Sequence, residues 1–222
     1  MKILGIDDCN RGSVLGSMII AGYLVDEKYI WNLKIIGVRD SKSFTKSQIK
    51  DIYDGIKNLG NKMQIIYISA SEISDGENLN DLECRAFCRI AQTIGKKFKI
   101  MINNFDYSKK KFIGRAERLG FHLDWKRWSF GHNNESRDMP VGAASIVAKH
   151  HGNLELDLMR IKFGKFGSGN PNDEKTCLFI RNHINHIPKC NSGCEIIRWN
   201  WSTIERLREM DDKEDNSASE DI

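Results

Sequence analysis

The sequence predicts an α/β fold: a mixed five-stranded sheet flanked by helices, with a helical appendage at the C-terminal end. Three observations carry that reading. Two apolar runs of strand length open the chain, and from about residue 46 segments of helical spacing alternate with further short apolar runs. From about residue 145 the periodicity is helical almost throughout. At 222 residues the chain can bury one good core, and no internal repeat divides it.

The elements follow in order. Ile3, Leu4 and Ile6 make a short apolar run and read as a buried strand. Residues 14–24, apolar and punctuated by glycine, read as a second strand paired with it, followed by a turn at Asp26-Glu27-Lys28. Thr45 is placed to cap a helix over 46–59, and 63–68 read as a third strand. Leu82, Ala86, Phe87, Ile90, Ala91 and Ile94 recur at helical spacing and predict a helix over 80–94, on which Cys84 and Cys88 read as small core residues. A fourth strand over 98–102 runs into Asn103, a basic helix covers 109–119, and a fifth strand over 123–130 is built around Trp125 and Trp128, read as packing residues. A long helix over 141–161 is reached through Asp138-Met-Pro140. Helices over 173–185 and 202–210 follow, with a short strand or packed turn between them near 196–202. The expected division is a core over 1–144, a helical part of the same globular unit over 145–210, and a disordered acidic tail over 211–222.

Hydrophobic residues at 40% and charged residues at 29% are ordinary for a soluble globular protein. No uncharged apolar run approaches the roughly 18 residues of a membrane span, so no membrane partner is expected. The start MKILGIDD meets charge too early for a signal peptide. Six cysteines are too few for a disulfide scaffold and point to a reducing, intracellular setting, cytoplasmic or, in a eukaryote, nuclear. The formal charge of +4 hides an asymmetry: DDKEDNSASEDI (211–222) carries net −5, which leaves +9 on the rest. A basic body suits a polyanionic partner, although solubility alone also accounts for it.

The chemistry concentrates in the opening stretch. Asp7 and Asp8 close the first strand, and carboxylates at the end of a core strand are costly to bury without a counter-charge. A divalent cation is one natural counter-charge, since hard cations prefer oxygen ligands. Asn10-Arg11-Gly12 then brings a guanidinium that matches phosphate geometry and a glycine that lets backbone approach a ligand. Acids for a metal beside donors for a polyanion suggest phosphodiester chemistry; a strand end followed by a polar turn is the plain alternative.

Six segments in order resemble one family: GIDDCNRGSVLGSM (5–18), GVRDSK (37–42), LNDLE (79–83), VGAASIVAK (141–149), FGSGNPNDEKT (166–176) and IRWNWST (197–203). Over residues 3–207 the chain is similar to the type 2 ribonucleases H, the ribonuclease HII group of archaeal enzymes and the catalytic subunit of the eukaryotic complex. The resemblance implies a ribonuclease H-like fold and two divalent cations, magnesium or manganese, held by four carboxylates. It implies cleavage of the RNA strand of RNA·DNA hybrids, incision at ribonucleotides embedded in duplex DNA, and accessory protein subunits in the eukaryotic case. A relative that binds hybrids without cutting them is the alternative.

Carried over position by position, the resemblance shows departures. Asp7 matches the family's first acid. Asp8 stands where the second is usually glutamate, Asn103 where the third is aspartate, and Glu135, ten residues before Ser145, where the fourth is aspartate. The formal charge of the set falls from −4 to −3. Asp106 is the nearest replacement acid, or else a helix cap ahead of Lys109. Asn10, Arg11 and Gly12 stand for a glycine-arginine-glycine turn whose backbone recognises the ribose 2′-hydroxyl, with Asn10 expected to take the left-handed conformation of the first glycine. Asn170 stands for a tyrosine that packs on the ribose at an RNA–DNA junction. Ser41, Lys42, Ser145 and Lys149 match positions lining the groove, the lysines neutralising phosphates. His183, His186, Cys190 and Cys194 are spaced unlike a standard zinc site, so structural zinc is not expected.

Overall fold

The computed structural model describes residues 1–39, 41–94, 97–103, 105–106, 108–131, 138–184 and 194–210. One five-stranded sheet has the order β3-β2-β1-β4-β5. β1 (Lys2–Cys9) is central, with β2 (Met18–Asp26) antiparallel on one side and β4 (Lys99–Asn103) parallel on the other. β3 (Lys62–Ile68) pairs antiparallel with β2, and β5 (Trp128–Gly131) pairs parallel with β4. β1 and β2 are buried along nearly their whole length, so they read in sequence as continuous apolar runs rather than alternating ones.

Eight helices flank or follow the strands among the described residues: α1 (Ile30–Ile36), α2 (Lys46–Asn58), α3 (Ala70–Ser74), α4 (Leu79–Ile94), α5 (Lys109–Arg118), α6 (Met139–Phe163), α7 (Glu174–Ile184) and α8 over residues 202–210. Thr45 caps α2 as expected: its hydroxyl accepts from the Gln48 N–H and the Gln48 side chain accepts from the Thr45 N–H, a capping box. Two glycines let helices lie directly on the sheet. A Cβ added at Gly5 would meet the Pro140 carbonyl carbon at 2.1 Å, and one at Gly22 would meet Ile90 at 2.4 Å. The start of α6 therefore covers the Gly5 face of β1, and α4 covers the opposite face of the sheet.

Several elements differ from expectation. β2 begins at Met18 rather than residue 14, because residues 12–17 turn away through Gly16 at φ 77°. β5 keeps four residues, and Trp125–Arg127 ahead of it is a 3-10 turn capped by Asp124. Trp125 and Trp128 do pack, in one aromatic cluster with Phe112 and Phe130. The segment near 196 is a 3-10 turn, Cys194–Ile196, followed by a single bridge between Leu15 and Ile197. α1 and α3 were not anticipated: Tyr29–Ile36 is apolar enough to mimic a strand, whereas the Ser69/Glu72 capping box of α3 was there to be read.

The chain divides into two compact units. The first comprises Met1–Arg11, Met18–Ile68 and Asn78–Asn153, which is the sheet with α1, α2, α4, α5 and the first part of α6. The second comprises Gly12–Ser17, Ser69–Glu77 and the chain from Leu154 onward. The expected division at residue 144 lies inside α6, which runs unbroken, and two short internal segments join the helical part. Within the second unit, Leu15, Met159, Phe166, Ile180, Ile197 and Ile204 share a core. There the Glu155 carboxylate accepts from the Ser17 N–H at 3.1 Å, and buried Arg198 donates to the Gly16 carbonyl at 2.9 Å. No described helix is long and apolar enough to cross a membrane.

Candidate active site

In the first unit Asp7, Asp8, Asn10 and Arg11 lie at the C-terminal end of β1, with Asn103 ending the neighbouring strand and Lys149 acting on Cys9. Successive strand residues point to opposite faces, so Asp7 leaves toward α6, with Gly5, and Asp8 toward α4. Asp7 is 2% exposed and Asp8 half-buried. The parallel register pairs Ile6 with Ile102, which puts Asn103 in the row of Asp7 and on the same face, and Asn103 in turn pairs with Gly131. Glu135 lies outside the described residues.

Burial pushes the Cys9 thiol up to about 12; Lys149 opposes the rise, while Asp8 and Asp7 add to it. Glu83, on the second turn of α4, is fully buried. Its carboxyl is driven well above the ordinary range, first by burial and then by Asp8, with Arg11 pulling the other way. Its Oε1 has no hydrogen-bond partner among the described residues. Both shifts come first from burial, with Asp8 and Asp7 adding to them. Sequence reasoning gave Glu83 no role, although its spacing from Phe87 and Ile90 puts it on the buried face of the helix.

The turn after the strand is built as expected in one respect and not in another. Asn10 adopts φ 61°, the left-handed conformation expected of it. The Arg11 guanidinium, however, is directed into the fold: Nε donates to Glu83 Oε2 at 2.7 Å, Nη2 donates to Asn80 Oδ1, and the group lies 5.9 Å from the Phe105 ring centre.

Asp106 is 5% exposed, and both its oxygens accept from Arg115, at 3.0 and 3.1 Å. It does not cap α5; that cap is Ser108. Arg115 also donates to Asp81, whose oxygens each accept from Arg118 at 2.8 Å. Ser41 and Ser145 are buried and share a hydrogen bond of 2.9 Å between their hydroxyls. Lys42 is exposed and Lys149 half-buried.

In the second unit, Gly12 has open space around its Cα. Asn170 sits on an exposed loop and its Oδ1 accepts from the Asn172 N–H at 2.9 Å, so its side chain is engaged in its own turn. Of the zinc candidates, His183 pairs its Nδ1 with the Phe179 carbonyl at 2.6 Å; His186, Cys190 and the Cys194 side chain are outside the described set.

A sheet of this order, with acids closing its central strand, defines a ribonuclease H-like fold. The ribonuclease HII sequence profile matches residues 4–204, and the chain belongs to that family of RNA-cutting hydrolases. Ribonuclease HII of Pyrococcus furiosus is 32% identical over 212 residues, covering 94% of this chain and 92% of that one. The crystal structure of ribonuclease H2 from Pyrococcus horikoshii OT3 matches with a TM-score of 0.80 and 27% identity, over 95% of this chain and 98% of that one. The ribonuclease HII of Archaeoglobus fulgidus, solved in complex with PCNA, shares the fold with a TM-score of 0.76 at 24% identity, over 93% and 96% of the two chains.

Proposed function

We propose that the chain is a metal-dependent endoribonuclease of reduced activity. It cleaves the RNA strand of RNA·DNA hybrids and incises at ribonucleotides embedded in duplex DNA. The observation that carries this reading is the acid pair Asp7 and Asp8 near the end of the central strand, Asp7 buried, with the left-handed turn at Asn10 after it.

The oxygen donors of Asp7 and Asp8 fit magnesium or manganese. Among the described residues no three acidic, histidine or cysteine side chains form a metal-binding group. Asp7 and Asp8 would hold the cations with Glu135 and the amide oxygen of Asn103. Asp106 serves Arg115 instead. Two such cations, when bound, supply an activated water and stabilise charge on the attacking and leaving oxygens of an in-line displacement. The chain's own residues do the rest. The backbone of Asn10, Arg11 and Gly12 faces the sugar, where a 2′-hydroxyl separates RNA from DNA. Lys42 and Lys149 neutralise phosphates. Arg11 supports the turn rather than gripping phosphate. Asn170 offers no ring to pack on a ribose, so preference for RNA–DNA junctions is weak. Accessory protein subunits belong to the proposal on the family likeness.

Asn103 supplies a neutral oxygen where an acid would hold a hard cation more firmly, so the protein is slow and needs millimolar manganese rather than magnesium. The test is nicking of a DNA duplex carrying one ribonucleotide, across manganese concentrations. Manganese-dependent nicking at that residue supports the reading. Binding without nicking in either metal favours the second reading, a catalytically silent hybrid-binding relative, for which Asn103 in the row of Asp7 is the motive.

A further inference from the structure

Asn10 is the one non-glycine residue with positive φ among the described residues, at 61°. That conformation costs an ordinary residue about 1–2 kcal/mol and persists only where the surroundings over-determine it. Three restraints meet on this turn. The Cys9 thiol donates to Asn10 Oδ1 at 3.2 Å. Gly152 on α6 leaves room for the Asn10 amide: a Cβ there would sit 2.8 Å from Asn10 Nδ2. Arg11 is clamped from the far side by Glu83 at 2.7 Å, by Asn80 and by the Phe105 ring. Glu83 is fully buried beside Asp8, a like charge. An acid so placed is locally unfavourable, and what it gains among the described residues is the bond to Arg11.

We propose that Glu83 is a positioning residue for sugar recognition: by clamping Arg11 it holds the backbone at Asn10 in the left-handed form that faces the ribose. The inference rests on the ribonucleotide-directed function proposed above and names what sets that specificity. Glu83 touches no reacting atom; it acts through Arg11 and the turn. Gly152 acts on the same turn through the Asn10 side chain.

The experiment compares equilibrium binding to two labelled duplexes of one sequence, one with a single ribonucleotide and one all DNA. EDTA is present so that no strand is cut. Glu83→Gln keeps the side chain's shape and removes its charge. It should lower the preference for the ribonucleotide duplex about 10-fold, while affinity for the DNA duplex stays within about 2-fold. Gly152→Ala should do the same by pressing on Asn10. Asn10→Gly is the rescue, because glycine holds positive φ without a clamp. Added to Glu83→Gln or to Gly152→Ala, it should restore the preference to within about 2-fold of the parent. A purely structural Glu83 would not be rescued at Asn10. An unchanged preference in Glu83→Gln, or a double variant no better than the single one, overturns the proposal. Should Glu83→Gln fail to fold, Gly152→Ala with and without Asn10→Gly decides it alone. If the parent shows no preference for the ribonucleotide, the proposed substrate reading fails and the clamp falls with it. A parent preference that Glu83→Gln leaves intact sinks the clamp alone.

Discussion

Asp81 and Glu83 lie two residues apart on α4, both buried acids, and what faces them differs in sign. Around Asp81 stand Arg115 and Arg118, with Asp106 completing a set of two acids and two guanidiniums. Around Glu83 stand Arg11, Asp8 and Asp7, three acids to one guanidinium, with Lys149 acting from the Cys9 side. The Asp81 carboxyl feels burial, which raises it, yet the hydrogen bonds from Arg118 and Arg115 hold it below its ordinary value. The Glu83 carboxyl feels burial and Asp8 together and is driven well up. One cluster is neutralised by the chain itself and needs nothing more. Among the described residues the other holds more acids than guanidiniums, and carboxylate oxygens are the donors a divalent cation prefers. Two buried acids two positions apart thus meet opposite surroundings.

The largest effect is expected on the acid-rich side. Asp7→Asn should abolish nicking, with a residual rate below about a tenth of the parent. The melting temperature of the metal-free protein should hold or rise, since one repulsion with Asp8 is gone. A faster variant would place the essential acid elsewhere. Asn103→Asp adds an acid to the row of Asp7. It should raise the single-turnover rate about 10-fold, equivalent to about 1.4 kcal/mol of transition-state stabilisation, and lower the manganese requirement. An unchanged rate would leave Asn103 outside the metal site.

On the balanced side the effect is on stability. Asp81→Asn should cost about 3 kcal/mol, because it breaks a buried pair, while the rate per folded molecule stays at the parent level. The pH sign follows from a folded value depressed below the usual 3.8. The Asp81 contribution is present above the unfolded value and is lost as pH falls through the folded one. Denaturant melts of parent and variant should therefore differ at about pH 6 and converge as the pH falls through the depressed folded value. The smallest effect concerns affinity. Lys42→Ala or Lys149→Ala should each reduce by about one the slope of log affinity for hybrid against log salt. A slope that neither lysine moves would take them off the phosphates.

How much of this was legible depends on how local each signal is. The acid pair closing β1 and the Thr45 cap rest on neighbouring residues and could be read from the chain, while the left-handed Asn10 was suggested by the family resemblance, which puts a glycine there. Glu83 could not be assigned, because its partner Arg11 lies 72 residues away and only the fold joins them. Asp106 read as a replacement acid or a helix cap, both local readings; its partner Arg115 sits a further nine residues along. Arg11 read as a phosphate ligand for a similar reason, since side-chain direction is set by tertiary packing. The boundaries that slipped, at β2 and β5, lie where turns rather than periodicity decide the ends.

The central claim, that Asp7 and Asp8 form a cation site and Asp81 and Asp106 do not, is tested most directly by calorimetric titration of manganese into the parent, Asp7→Asn and Asp81→Asn. The account predicts that the parent binds manganese and Asp81→Asn matches it within about 2-fold, while Asp7→Asn weakens binding by at least about 10-fold. Equal weakening in both variants, or a parent that takes up no manganese, would contradict it.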